Sequence, residues 1–154
     1  MFRLMSVFAA SLAPVAVSTL TAQAQKEAPA VKLEIRRAET TAGPGLSEAT
    51  IEGTNKKIYL HREAGITKTD IAGALAKKED GQAYVVEVRL TEAGHEKFAR
   101  LTERHLNKPL AIILDGKVVS TPVVRDKITT QNLVLSGNFT KKEAVRIATA
   151  LRSR

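Results

Sequence analysis

Between Leu90 and Leu151 the chain switches repeatedly between a two-residue and a 3.6-residue hydrophobic period, with a turn or capping residue at each switch. Leu110-Ala111-Ile112-Ile113-Leu114 is a short, continuously apolar strand, Asp115-Gly116 a two-residue turn, and Lys117-Val118-Val119-Ser120 a second strand. A type I′ hairpin needs positive φ at both central residues, and Asp-Gly supplies it at low cost. Thr91 is placed to cap a helix whose first turn carries Glu92, with Phe98 and Leu101 on one face and Leu106 closing the last turn. Pro109 ends that connection, and Pro122 stops the strand from Lys117. A longer connection, Val123 to Asn132, precedes the strand Leu133–Ser136, and Gly137-Asn138 is expected to turn the chain. Thr140-Lys141-Lys142-Glu143 is a capping box, and Ala144, Ile147, Ala148 and Leu151 form the apolar stripe of the helix it opens.

Upstream the pattern is sparser. Val31 to Arg36 alternates apolar and charged residues like a half-buried strand, Thr40 to Ala49 reads as a loop around Gly43-Pro44-Gly45, and Ile58–His61 reads as a second strand. A short helical turn near Thr69 and then a strand lead into a hairpin turn at Glu79-Asp80-Gly81-Gln82. In the returning strand, Tyr84, Val86, Val88 and Leu90 share one face, with Glu87 and Arg89 on the other. Hairpin-linked strands with two one-faced helices give an α+β class: an antiparallel or mixed sheet with two amphipathic helices packed on one face.

The first residues read as a cleavable leader rather than as structure. Arg3 is its positive region, Leu4 to Val17 its apolar region, and Ala22-Gln23-Ala24 a small-residue cleavage site, so the mature chain is expected to begin near Gln25. The apolar run falls short of the ~20 residues of a spanning helix, and Pro14 interrupts it. The expected divisions are residues 1–24 as signal peptide, 25–56 as a lead with one strand and the Gly/Pro loop, and 57–154 as the α+β domain. The location expected for the mature chain is periplasmic or extracellular, with no stable membrane span. No Cys occurs in the 154 residues, which excludes disulfides, thiol-linked lipid and Cys-based zinc or redox sites. The formal charge of +8, or +7 once Arg3 leaves, favours anionic partners. Aromatic residues are only 4% of the chain and do not interleave with the basic ones, which argues against nucleic acid.

At these residues the sequence resembles the head subdomain of the first extracytoplasmic region of SecD and SecDF, membrane proteins that assist Sec-dependent protein export. The resemblance rests on VEVRLTEAGHEKFARL (Val86 to Leu101), LAIILDGKVVSTP (Leu110 to Pro122), Val124-Arg125-Asp126-Lys127-Ile128, and Ser136-Gly137-Asn138-Phe139-Thr140. Ile58-Tyr59-Leu60 and Ile66-Thr67 also fall where the family has a strand and a loop. It covers about Lys57 to Arg152, whereas Val31 to Asn55 is not clearly matched. The resemblance implies a binding and conformational element, not a catalyst, contacting exported polypeptide beyond the membrane. Transmembrane helices, which carry the family's proton-linked movement, are not seen after residue 24, so the chain is not expected to be the export motor. A shared fold does not by itself transfer function.

Groups that carry chemistry are few. His61, His95 and His105 lack metal-ligand spacing and are expected to be exposed helical residues. Ser120 and Ser136 lie at strand ends without a G-x-S-x-G elbow, and Gly43-Pro44-Gly45 lacks the ending of a phosphate loop. Asp115 reads as a turn former rather than a catalytic carboxylate. No catalytic residue, metal site or cofactor is expected. Arg125, Asp126 and Lys127 sit in the longest connection of the matched region and are the candidate partner-binding residues, against the plainer reading of a solvated charged loop. The expected partner is an exported or unfolded polypeptide or an envelope protein, met by strand addition at an open sheet edge. The alternative is electrostatic binding of anionic envelope polymers or lipid headgroups, motivated by the +7 charge; Lys77, Lys78, Lys97, Arg100, Arg104, Lys141, Lys142 and Arg146 scatter basic charge across a hairpin and both helices, as solvated helix faces also do.

Overall fold

The computed structural model describes residues 31–79, 81 and 83–152. The expected leader, the first part of the polar lead, and Asp80 and Gln82 of the expected hairpin turn lie outside the described residues. Among the described residues eight strands form two antiparallel sheets, as the α+β reading requires. The first sheet holds β1 (Leu33–Glu39), β2 (Ser47–Thr50), β3 (Lys57–Thr67), β6 (Leu110–Leu114) and β7 (Lys117–Ser120), in the order β2-β3-β1-β6-β7. The second holds β4 (Ile71–Lys78), β5 (Tyr84–Leu90) and β8 (Asn132–Phe139), in the order β4-β5-β8. Helices α1 (Glu92–Glu103) and α2 (Lys141–Arg152) follow β5 and β8.

The continuous apolar run of β6 reflects burial on both faces. Leu110, Ile112 and Leu114 enter the main core with Leu33 and Ile35 of β1, Val86, Val88 and Leu90 of β5, Phe98 of α1, and Ile147 and Leu151 of α2. Ala111 and Ile113 point the other way, into a smaller core with Ala38, Ile58, Leu60 and Val118. The first sheet curls around this second cluster until its edges meet, where Ile51 bridges Val118 and the Glu52 N–H donates to the Val118 carbonyl at 2.8 Å. The β6–β7 turn is as its dipeptide demands, with φ of 51° at Asp115 and 83° at Gly116. The Asp115 carboxylate also accepts from the Lys32 N–H at 2.9 Å, tying the turn to the start of β1.

Passage from the first sheet to the second runs through one buried carboxylate. Asp70 ends a 3-10 turn, Lys68–Asp70, between β3 and β4. Its Oδ2 accepts from the Thr67 N–H at 3.0 Å and from the Thr67 hydroxyl at 3.3 Å, while its Oδ1 receives the Lys97 ammonium of α1 at 2.7 Å. The Asp70 carbonyl accepts from the N–H of Thr91, the residue whose hydroxyl caps α1 by accepting from Gly94 N–H. Gly94 permits this approach, since a Cβ there would stand 2.5 Å from the Asp70 carbonyl oxygen. Burial pushes the Asp70 carboxyl up, but Lys97 and the Thr67 donors outweigh it and hold the group below its ordinary range. Glu34, also buried, is held low by the hydrogen bond from Lys32 and then, against burial, by Arg36.

Several local expectations are revised. Ser47–Thr50 is a strand where a loop was expected through Ala49, because it pairs in register with Lys57–Leu60 of the longer β3. Gly137 and Asn138 lie inside β8 rather than in a turn: the β5–β8 register shifts between Tyr84 and Val86, absorbing the extra residues as a bulge, and the Phe139 ring occupies the space beside Gly137. Leu106 is 45% exposed, since α1 stops at Glu103 and Asn107 turns the chain at φ 61°. Nor are the histidines exposed helical residues. His105 is buried after the end of α1, its Nε2 within 3.2 Å of the Ala38 carbonyl and 3.0 Å of the Pro109 carbonyl; His61 lies in β3 and His95 is half-buried in α1. The capping box at Thr140 forms, with the Thr140 N–H donating to Glu143 at 2.9 Å, and the stripe Ala144, Ile147, Ala148 and Leu151 is buried.

Two outcomes are expected. Gly94→Ala should cost about 1–3 kcal/mol in urea unfolding, because the new methyl must displace Asp70. The native Asp70 carboxyl binds its proton less readily than the unfolded one, so its stabilisation is full above the ordinary value of 3.8 and is lost as pH falls below it. Asp70→Asn should therefore be less stable at pH 7 by about 1–3 kcal/mol and lose less than the parent between pH 5 and 3, as read by urea midpoints across that range. Parallel losses in the two chains would contradict this origin of the acid limb.

Candidate functional site

The connection between β7 and β8 contains Arg125, Asp126 and Lys127, and its course is set by α1. Val124 exchanges backbone bonds with the segment after the helix: its N–H donates to Lys108 at 3.0 Å and its carbonyl accepts from Asn107 at 2.8 Å. Farther on, the Ile128 N–H donates to the buried Thr102 hydroxyl at 3.0 Å, and the ring of His95 lies with Nε2 2.8 Å from the Thr129 carbonyl. A carbonyl only accepts, so that nitrogen carries the proton. His95 Nδ1 is then left buried without a hydrogen-bond partner, 3.9 Å from Glu92. Gln131 completes the attachment, donating from its amide to Glu92 at 2.7 Å and accepting from Leu90 N–H through its carbonyl. These bonds run the connection back along α1 to the start of β8.

Beside the connection is an apolar cleft of about 320 Å³. Phe98 of α1, Leu110 and Ile112 of β6, and Ile128 of the connection line it, together with four consecutive residues of β8, Asn132 to Leu135. Consecutive strand residues point to opposite faces, so a wall made of four in a row is the edge of the strand itself. Among the described residues β8 is an edge strand of its sheet, hydrogen-bonded to β5 on its other side. Val134 is 56% exposed there, while Leu133 and Leu135 are buried. Among the described residues no strand pairs with the outer side of β8, which lies beside apolar depressions and suits an extended chain.

The three candidate residues stand together in sequence but not in role. Lys127 reaches Glu103 of α1 at 3.2 Å, an exposed pair of small energetic weight. Arg125 and Asp126 are exposed and make no side-chain hydrogen bond or ion pair with the described residues. What the charged triplet does not reveal is the cleft. Its signal in the sequence is Val134, an aliphatic residue on the polar side of Leu133-Val134-Leu135, where alternation calls for a polar one. Among the described residues no group of three or more His, Asp or Glu could hold a metal ion, and no helix is long and apolar enough to cross a membrane.

Comparison with known proteins agrees with this architecture. The family model of the SecDF P1 head subdomain matches residues 46–154. The protein translocase subunit SecD of Magnetococcus marinus is 44% identical over 69 residues, covering 45% of this chain and 13% of that protein. SecD of Dictyoglomus turgidum is 32% identical over 118 residues, covering 71% of this chain and 29% of that protein. A solved structure of SecDF, described as a membrane component that enhances protein export, matches with a TM-score of 0.64 and 26% identity over 79% of this chain and 62% of that one. SecDF in its super-membrane-facing form matches with a TM-score of 0.67 and 28% identity, covering 79% of this chain and 18% of that one. The chain thus spans less than a third of the length of these SecD relatives. By sequence and by fold, it belongs to the SecDF P1 head subdomain family.

Proposed function

We infer that the chain is a non-catalytic binding module of protein export, acting outside the cytosol, and that the free edge of β8 takes an extended apolar segment of a translocated polypeptide. The observation that carries this reading is the coincidence of that edge with the apolar cleft. Backbone pairing along an edge is indifferent to sequence, and alternate side chains of the added strand would drop toward Phe98, Ile112 and Ile128. Such a site suits many unfolded chains, since it asks only for a few aliphatic residues without Pro. Arg125, Asp126 and Lys127 would stand at its rim and contact polar portions of the guest, contributing little each. Location outside the cytosol is supported by the leader features of residues 1–24 and by the description of SecDF as an export component.

Photo-crosslinking tests the reading. A photoreactive residue in place of Val134 should capture a reduced, unfolded exported polypeptide, whereas the same residue in place of Glu48, on edge strand β2 of the other sheet, should not. Equal capture from both positions, or capture from neither, would refute strand addition at β8. Joint replacement Arg125→Ala and Asp126→Ala should weaken capture only about two- to fivefold, in keeping with exposed rim charges.

A further inference from the structure

A second cleft, sharing no lining residue with the apolar one, lies between α1 and the β1–β3 pair and encloses about 340 Å³. Lys97, Arg100 and Leu101 of α1 line it together with Arg104, the capping residue just past the helix, at the i, i+3, i+4 and i+7 spacing of one helix face. Arg37 of β1 and Glu63 of β3 face them. Four cations therefore converge on one concavity against a single carboxylate.

The ion pairs of this chain leave much of that charge unanswered. Lys97 is held by Asp70 at 2.7 Å, and Arg100 has a loose 3.5 Å pair with Glu96. The acids nearest in sequence to Arg37 are committed elsewhere, Glu34 to Lys32 and Arg36, and Glu39 to Lys108 and His61. Arg37 and Arg104 make no ion pair or side-chain hydrogen bond with any described residue, although Arg37 is half-buried. A guanidinium drawn partly out of water gives up hydration, and a carboxylate gripped by its planar fork restores it best.

We propose that this cleft is a binding site for carboxylate groups of an acidic polypeptide segment, gripped by Arg37 and Arg104 with Arg100 beside them, and with Leu101 offering apolar contact to the segment. A carboxylate fits better than a doubly charged phosphate because Asp70 already neutralises Lys97 and Glu63 opposes further negative charge. A lipid surface fits worse, since a flat sheet of headgroups does not reach a half-buried Arg37 inside a concavity. The site does not depend on the reading of the β8 edge.

Fluorescence anisotropy on the full chain tests it, with a labelled peptide of alternating Glu and Ala set against its Gln counterpart. The Glu peptide should bind and weaken steeply with added salt, and the Gln peptide should not bind. Arg37→Gln and Arg104→Gln should each weaken binding about tenfold, and Arg104→Lys by less, because the charge remains while the fork is lost. Lys141→Gln, an equal charge change on α2, should stay within about twofold, and a photoreactive group at Val134 should leave Glu-peptide binding unaltered. Since Arg104 is exposed beyond the last turn of α1, Arg104→Gln keeps the test informative if Arg37→Gln fails to fold. Equal losses from Lys141→Gln and Arg104→Gln would reduce the effect to net charge and overturn the site. So would equal binding of the Gln peptide, or Arg37-dependent binding of phosphatidylglycerol vesicles without binding of the Glu peptide.

Discussion

The buried carboxylate of Asp70 is the constraint on which the arrangement turns. It stands where the chain leaves the first sheet for the second, and it reaches Thr67 before the crossing and Lys97 of α1 after it. One side chain and one carbonyl thus fix three things together: the angle at which β3 hands over to β4, the first turn of α1, and the contact of that helix with the sheet it leaves. Removing the Asp70 carboxylate strands the Thr67 donors and the Lys97 ammonium at a cost of about 1–3 kcal/mol, whereas an exposed pair such as Lys127–Glu103 is worth little. That difference makes Asp70 a determinant of the fold and leaves the triplet around Asp126 free for other use.

With α1 fixed, the rest of the site follows from ordinary polar satisfaction. Thr102 and His95 lie on the face of the helix turned toward the β7–β8 connection, and each meets one backbone group of it. The connection is therefore laid along α1 rather than across the edge of β8. Had it crossed that edge, the cleft among Phe98, Ile112 and Ile128 would be covered and β8 would have no free side. The opposite face of the same helix carries Arg100, with Arg104 just past its end, over the first sheet, so one element separates an apolar cleft from a basic one.

Where local physics decides, the sequence is a good guide. The Asp115-Gly116 turn, the cap at Thr91, the Thr140–Glu143 box and the buried stripe of α2 depend on residues within a few positions of one another, and each forms as expected. Where distant partners decide, it is not. Ser47–Thr50 becomes a strand only because β3 extends to meet it, and His105 is buried only because two carbonyls, at Ala38 and Pro109, converge on its ring. Gly137-Asn138 has the composition of a turn yet is carried as a bulge by pairing with β5. The site divides the same way: the charged triplet and the length of its connection are visible in one dimension, but the cleft draws on α1, β6 and β8 at once. Only the aliphatic Val134 hints at it beforehand.

On the proposed reading, this member of the SecDF P1 head family, with a strand edge beside an apolar trough, holds extended chains without altering them. Amide hydrogen exchange with a reduced, unfolded exported polypeptide reads that claim most directly. The account requires new protection within Leu133–Phe139 and residues 121–131, with β2 unchanged. Binding accompanied by protection of Ser47–Thr50 instead, or by none along β8, would contradict it.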